Sequence, residues 1–314
     1  MTVNVVERWR GRVRPTRPVW EEKPSFLGQF SKTTILIAVV LAVLFPLWVV
    51  VVTSLSSTNT ITAAGGYVII PREFNPSAYL AIFSGGQIAR AVWISTVVTV
   101  VGTTISLTLT VLAAYGLSRP NSVGHRPLLF YFLLTFLIYP GLIPSYLVVT
   151  GLGLKDNLLA LILPTAVSAF NLVVLRAFFM NIPGELIDSA RIDGAGEWRI
   201  LTRVVLPLSR AVTAVVGLFY AVGYWNAFFN AMLYLNDNTK WPLQLVLRTY
   251  IVQAQVLPSG AGGVTSSPVL GLAPAPSLAI KMAIVVLAVI PVLLVYPFIQ
   301  KHFTKGVIIG AVKG

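Results

Sequence analysis

Six apolar runs of about twenty residues recur along the chain, and no other feature restricts its fold as strongly. The hydrocarbon layer of a bilayer is about 30 Å thick and is crossed by about 20 residues of helix. No water is present there to satisfy backbone amides, so a single run inside lipid must hydrogen-bond to itself. The runs cover residues 33–55, 88–117, 128–149, 158–180, 208–233 and 278–299, and Pro140 and Pro144 predict a kink in the third. Composition agrees: 56% of residues are hydrophobic and 11% charged, against about 25% charged in a soluble domain. The expected fold is an all-α polytopic membrane protein, with six transmembrane helices between residues 33 and 300.

A net charge of +13 raises the question of nucleic acid. The basic residues are scattered at the ends of apolar runs and form no aromatic-interleaved stripe, so the partner they indicate is the lipid bilayer and not a nucleic acid. Seventeen of the 23 Lys and Arg fall on one set of alternate segments, leaving Arg72, Arg90, Lys155, Lys240, Arg248 and Lys281 on the other. The positive-inside rule then puts both termini in the cytoplasm. The inner segments include a basic tail over 1–32, with Arg8, Arg10, Arg12, Arg14, Arg17, Lys23 and Lys32, and a short tail over 301–314. The first apolar run follows that long tail with no cleavage site close behind, which marks a retained anchor. Cysteine is absent, which excludes disulfides and thiolate chemistry. His125 and His302 stand in separate segments and form no metal or nucleophile set, so no catalytic residue and no metal site is expected. No phosphate-cradling G-x-x-x-x-G-K-[ST] occurs, and "GAGG" at 260–263 lacks its Lys and hydroxyl.

One cytoplasmic segment, 183–207, is far more polar than its neighbours and includes most of "DSARIDGAGEWRILTRVVLPLS" (188–209). Pro183 suits a helix start, and Glu185 and Asp188 suit its positive end. Leu186, Ile187 and Ala190 share one face at helical spacing. Gly194 supplies a left-handed turn, a second amphipathic piece sets Trp198, Leu201 and Val205 along one side, and Pro207 marks the break before the fifth run. Two short helices joined at a glycine fit docking into a groove of a partner protein; an interfacial helix lying on the membrane fits the same pattern.

Polar side chains inside the runs are the candidates for contact with a solute. The fifth run reads "FYAVGYWNAFFNAMLYL", in which Tyr220, Tyr224 and Trp225 accompany Asn226 and Asn230 at a spacing that puts both amides on one helical face. Asn171 in the fourth run joins them. Amides and aromatic faces suit the hydroxyls and C–H faces of sugars, and they suit ordinary helix packing equally well. Arg176, at the inner end of the fourth run, is placed to snorkel to headgroups. A long polar outer loop, 236–276, carries Trp241, Leu245 and Tyr250.

The spacing Asp188-Ser189-Ala190, Gly194, Val204, Leu206-Pro207 resembles the "EAA" loop of bacterial ABC importer permeases. The preceding "RAFFMNIPGELI" is similar to the carbohydrate-uptake branch, which contains the maltose permeases. "YPFIQKHFTKGVIIGAVKG" at the end resembles a subgroup with aldouronate-type, alginate-type and lipoprotein-linked oligosaccharide permeases. The resemblance covers residues 30–314. It departs at Asp188, where the family has Glu, and at Ser189, where it has Ala. It implies a type I importer permease fold in the bacterial cytoplasmic (inner) membrane. It also implies a coupling helix seated in a cleft of an ATPase subunit. Asp188 and Asp193 would meet polar or basic groups of that cleft, Ala190 would permit close approach and Gly194 would make the turn, while Ser189, Ala195, Trp198 and Pro207 complete the loop. The implied partners are a second homologous permease, two ATPase subunits that use ATP and Mg, and an extracytoplasmic solute-binding protein approached by the outer loop. No cofactor would be bound by this chain. An ion-coupled secondary transporter is the competing class, but it needs ionisable groups at mid-membrane, and no Asp, Glu, Lys or His lies near the centre of any run. An ABC permease for a non-sugar solute is the other alternative.

Overall fold

The computed structural model describes residues 26–84, 86–119, 122–138, 140–256 and 277–311, so the basic tail up to Ser25, the "GAGG" part of the outer loop and the last three residues lie outside it. Residues 26–48 form one unit and those from Val49 onward another. The described residues form helices and turns, with no strand among them.

In chain order the helices are α1 (Phe26–Ser54), α2 (Thr58–Ala63), α3 (Ser77–Phe83), α4 (Gln87–Ser118), α5 (His125–Leu137), α6 (Leu142–Gly151), α7 (Leu159–Ile162) and α8 (Ala169–Met180). After these come α9 (Gly184–Ile192), α10 (Glu197–Ile200), α11 (Leu206–Leu208), α12 (Arg210–Trp225), α13 (Phe228–Tyr234), α14 (Leu243–Val256) and α15 (Leu278–Ala311). Among the described residues α1 and α4 alone are each long and apolar enough to cross a bilayer. The third and fourth apolar runs pass that test only as bent pairs, and the apolar stretch Leu278–Leu294 of α15 is shorter.

The third run breaks outright where a kink was expected: α5 and α6 meet at 120°. Pro140 has no N–H to give, and Gly141 takes a positive φ of 88° that a side chain would resist. The fourth run bends by 52° between α7 and α8. Pro164 lies in the turn between them, and Ser168 caps α8 by accepting the Asn171 N–H at 3.4 Å.

The fifth run departs from a single helix over 208–233. The α12 helix ends at Trp225, and an inverse γ-turn centred on Ala227 (φ −74°, ψ 71°) closes with Phe228 N–H donating to Asn226 O at 2.8 Å. Asn226 contributes to the break, because its side-chain amide donates to the Val222 carbonyl at 3.0 Å and so ties up the end of α12. The polar stretch after the first run is also structured, for α2 and α3 flank a segment that buries Val68. The long polar stretch expected over 236–276 is in part a helix: α14 buries Leu245, Val246 and Tyr250.

The packing centre is α4, which receives α8, α12 and α14. Its buried face carries the small residues Ser95, Gly102, Ser106 and Thr110, which let neighbouring backbones approach closely. Leu243 N–H donates to the buried Ser95 hydroxyl at 2.8 Å and so fixes the start of α14 on α4.

Candidate functional site

The bend of the fourth run interrupts the backbone hydrogen-bond ladder between α7 and α8, and two tyrosines of α12 bond to groups on either side of it. The Tyr224 hydroxyl donates to Ile162 O at 3.2 Å, at the end of α7, and pairs with Ser106 Oγ of α4 at 2.7 Å. The Tyr220 hydroxyl accepts the Ser168 N–H at 2.9 Å and pairs with Thr110 Oγ1 of α4 at 2.7 Å. Both rings are buried. Each hydroxyl therefore joins α4, α12 and the bent fourth run at one point. The sequence offers these tyrosines to a solute through their aromatic faces, and the structure engages their hydroxyls in packing.

The rings keep a second role. A cavity of about 470 Å³ is lined by Thr165, Phe170, Asn171, Phe219, Tyr220, Tyr224 and Asn230, among others. That volume lies within the range of small-molecule sites, about 300–1,000 Å³. The side-chain amides of Asn171 and Asn230 face it and carry no hydrogen bond to any described residue. An amide offers two donors and an acceptor, so the cavity has unspent polar capacity between aromatic walls.

Two of the expected pathway residues lie elsewhere. Trp225 donates its indole N–H to Ala288 O of α15 at 2.8 Å and is buried in that contact. Asn226 is exposed at the break, and its side-chain oxygen accepts from Gln244 at 3.4 Å. The shared face of Asn226 and Asn230 requires a continuous helix, which the turn at Ala227 interrupts.

Removing the Tyr220 hydroxyl should cost stability without changing shape. Tyr220→Phe takes the partner from the half-buried Ser168 N–H and from the buried Thr110 hydroxyl, which costs about 1–3 kcal/mol. Thermal unfolding in detergent should show a lowered midpoint, and an unchanged midpoint would remove the stapling role.

The polar segment over 183–207 is two helices at a glycine, as its spacing predicts. The α9 helix ends in a Schellman motif: Ala195 N–H donates to Ala190 O at 2.9 Å, Gly194 N–H donates to Arg191 O at 3.0 Å, and Gly194 sits at φ 78°. Asp188, Ser189, Asp193, Trp198 and Pro207 are exposed, while Ala190 and Ala195 are half-buried against the chain's own core. The expected apolar faces need correction. Ile187 is buried but Leu186 is 46% exposed, and Trp198 is 68% exposed while Leu201 and Val205 are buried. A π-helical turn over Leu201–Val205 and an 88° corner before α12 account for part of this, since they alter the helical register.

Charges that sequence reasoning passed over meet here. The Glu197 carboxylate accepts from the Tyr115 hydroxyl of α4 through Oε2 and from Arg191 Nη2 at 2.9 Å through Oε1. The hydrogen bond from Tyr115, followed by that from Arg191, holds its carboxyl below the usual glutamate range. Arg191 also lies 3.5 Å from Asp188, and the Arg119 guanidinium stands 4.4 Å over the Tyr115 ring. Arg176 donates from Nε to Leu117 O at 2.8 Å and so pins α8 to the end of α4.

Comparison with known proteins gives consistent relatives. No family model matches the chain. It is 50% identical over 248 residues to the polygalacturonan/rhamnogalacturonan transport system permease protein YtcP of Bacillus subtilis (strain 168), covering 79% of this chain and 85% of that protein. It is 43% identical over 258 residues to protein LplC of the same organism, covering 82% and 85%. Among solved structures, it matches a chain of a bacterial ABC transporter involved in the import of the acidic polysaccharide alginate. That match has a TM-score of 0.78 and 30% identity, and covers 91% of this chain and all of that one.

Proposed function

The chain belongs to the permease subunits of sugar ABC importers, and from that premise we propose that it forms one wall of an oligosaccharide pathway opened by ATP hydrolysis on separate subunits. The observation that carries the reading is the cavity with Asn171 and Asn230 unspent between the rings of Phe170, Phe219, Tyr220 and Tyr224. Amides pair with sugar hydroxyls, and aromatic faces cover the C–H faces of pyranose rings. The chain crosses the bacterial inner membrane six times with both termini in the cytoplasm, in keeping with its Lys and Arg distribution. Each bent helix pair counts as one span, which non-helical backbone at membrane depth permits when it is buried in protein or lines a cavity.

In this reading the subunit is not catalytic and binds no cofactor. The exposed residues Asp188, Ser189, Asp193, Gly194, Trp198 and Pro207 face an ATPase subunit that uses ATP and Mg, while Ala190 and Ala195 set the depth of the docking helix. A second permease supplies the facing wall, two ATPase subunits drive the cycle, and an extracytoplasmic binding protein delivers the sugar near α14. The relatives are named for transport of polygalacturonan and rhamnogalacturonan and for import of alginate, all polysaccharides, so short oligosaccharides are the cargo to test first.

The experiment is ATP-dependent uptake of oligogalacturonides by the assembled importer in proteoliposomes. Asn171→Leu and Asn230→Leu should each raise the KM by about 5- to 100-fold, the effect of one to three lost or mismatched polar contacts, with assembly unchanged. Gradient-driven sugar uptake by this chain alone, with no ATPase present, would reject the reading.

A further inference from the structure

We infer that Tyr115, Glu197 and Arg191 form a clasp that carries displacement of the cytoplasmic loop into α4 and on to the cavity wall, which makes them positioning residues for coupling. The inference rests on the importer reading. Glu197 opens α10, just past the Gly194 turn, and Arg191 lies in the last turn of α9 before it. The stretch between them ends in Gly194-Ala195-Gly196, a hinge of small residues with little side-chain mass to stiffen it. Glu197 spans that hinge with one carboxylate oxygen on Arg191, and with the other it reaches Tyr115 of a different helix. Coil and helix on either side of the glycine are thereby braced to each other and to α4.

The α4 end of the clasp is held on two further sides. The Arg119 guanidinium covers the Tyr115 ring, and Arg176 of α8 grips Leu117 O. From Tyr115, α4 runs back without interruption to Thr110 and Ser106, which hold Tyr220 and Tyr224 at the cavity. Nine residues of helix make a rod of about 14 Å. The route along the chain is longer and softer, since it passes through the π-helical turn over Leu201–Val205 and the 88° corner at Ser209 before reaching α12.

The magnitude of a surface ion pair separates this role from simple stabilisation. The Arg191 and Glu197 side chains are 49% and 56% exposed, and pairs of that kind add about 0–1 kcal/mol to stability. Breaking the ion pair should therefore leave folding and assembly almost untouched, and the Tyr115 hydrogen bond ends on a half-exposed carboxylate that water can reach once the hydroxyl is gone. A shared two-state element is the physical requirement for coupling between sites, and the clasp supplies the connection from loop to rod.

The sequence has no cysteine, so a single reporter thiol can be placed at the cavity as Phe219→Cys. The measurement is the rate at which N-ethylmaleimide labels that thiol in the importer complex co-purified with its ATPase, without nucleotide and with ATP plus vanadate. The complex with an intact clasp should show labelling rates that differ between the two states. Tyr115→Phe and Glu197→Gln should each shrink that difference by at least about fivefold, the lower end of typical coupling effects, with ATP hydrolysis and co-purification retained. Arg191→Lys, which keeps the charge, should preserve part of the difference. A nucleotide-dependent difference retained in full by Tyr115→Phe and Glu197→Gln overturns the clasp alone. No difference in the complex with an intact clasp overturns the importer reading and the clasp with it.

Discussion

Gly102→Val is expected to yield protein that inserts in the membrane but unfolds at a much lower temperature than the parent. A Cβ at Gly102 would stand 2.8 Å from Cε2, 2.9 Å from Cδ2 and 3.0 Å from Cζ of Tyr224. That ring cannot give way freely, because it is buried and its hydroxyl is committed to Ser106 and Ile162 O. Overpacking of this kind costs about 1–3 kcal/mol, and displacement of the hydroxyl adds about 1–3 kcal/mol for the buried Ser106 hydroxyl that loses its partner. Gly102→Ala should show the same effect at smaller size. The cause is separable from any loss of helix propensity, since alanine is the better helix former. In a double-mutant cycle, Tyr224→Leu should therefore be less harmful in the Gly102→Ala background than alone. Additive losses in detergent unfolding midpoints would show that the close approach of α4 and α12 at Gly102 does not matter.

Gly194→Val should abolish ATP-dependent uptake while leaving membrane insertion and the unfolding midpoint close to the parent's. No atom lies within 4 Å of a Cβ built at Gly194, so space is available and the objection is entirely to the backbone. At φ 78° a side chain costs about 1–2 kcal/mol, with β-branched residues worst. The exposed loop can relieve that strain by unwinding the Schellman motif, which moves Asp193 and the hinge braced by Glu197. Asn tolerates the left-handed region, so Gly194→Asn should keep most of the uptake. If valine and asparagine behaved alike in a proteoliposome uptake assay, the turn's conformation would not be what matters at this position.

These two glycines mark different limits of sequence reading. Gly194 was legible, because a polar, helix-period segment followed by glycine specifies a left-handed cap from local sterics alone. Gly102 was not legible, since nothing nearby in the sequence distinguishes it from the glycines that face open space. The same division runs through the apolar runs. The 88–117 run reads as a helix and is one, α4. The fifth run reads equally well as one helix, but a competing side-chain hydrogen bond from Asn226 and the turn at Ala227 end it early. Its two amides were paired on a periodicity that the break removes. The same break leaves Asn230 to line the cavity with Asn171.

Charged residues followed the pattern in reverse. Counting Lys and Arg served topology, so Arg191 and Arg119 entered only as tallies and Arg176 only as a side chain reaching for headgroups. Their partners turned out to be Glu197, the Tyr115 ring and a backbone carbonyl of α4. An acid six residues from Arg191 is a visible signal, and a search for cross-hinge charge pairs would have found that half of the clasp. Tyr115 is 82 residues from Glu197 and gives no such signal.

The sequence by itself determined that this chain is a bundle of apolar helices with a polar two-piece loop between two of them. Transfer of a side chain into lipid is a local quantity that adds up along a run, and a glycine cap is decided within a few residues. Only the tertiary structure decided which helix faces meet, which polar groups are already satisfied and which remain free at the cavity. Lipid and protein interior are both apolar, so the contrast that marks the buried face of a soluble helix is missing, and the hydroxyl of Ser106 finds Tyr224 at a separation of 118 residues.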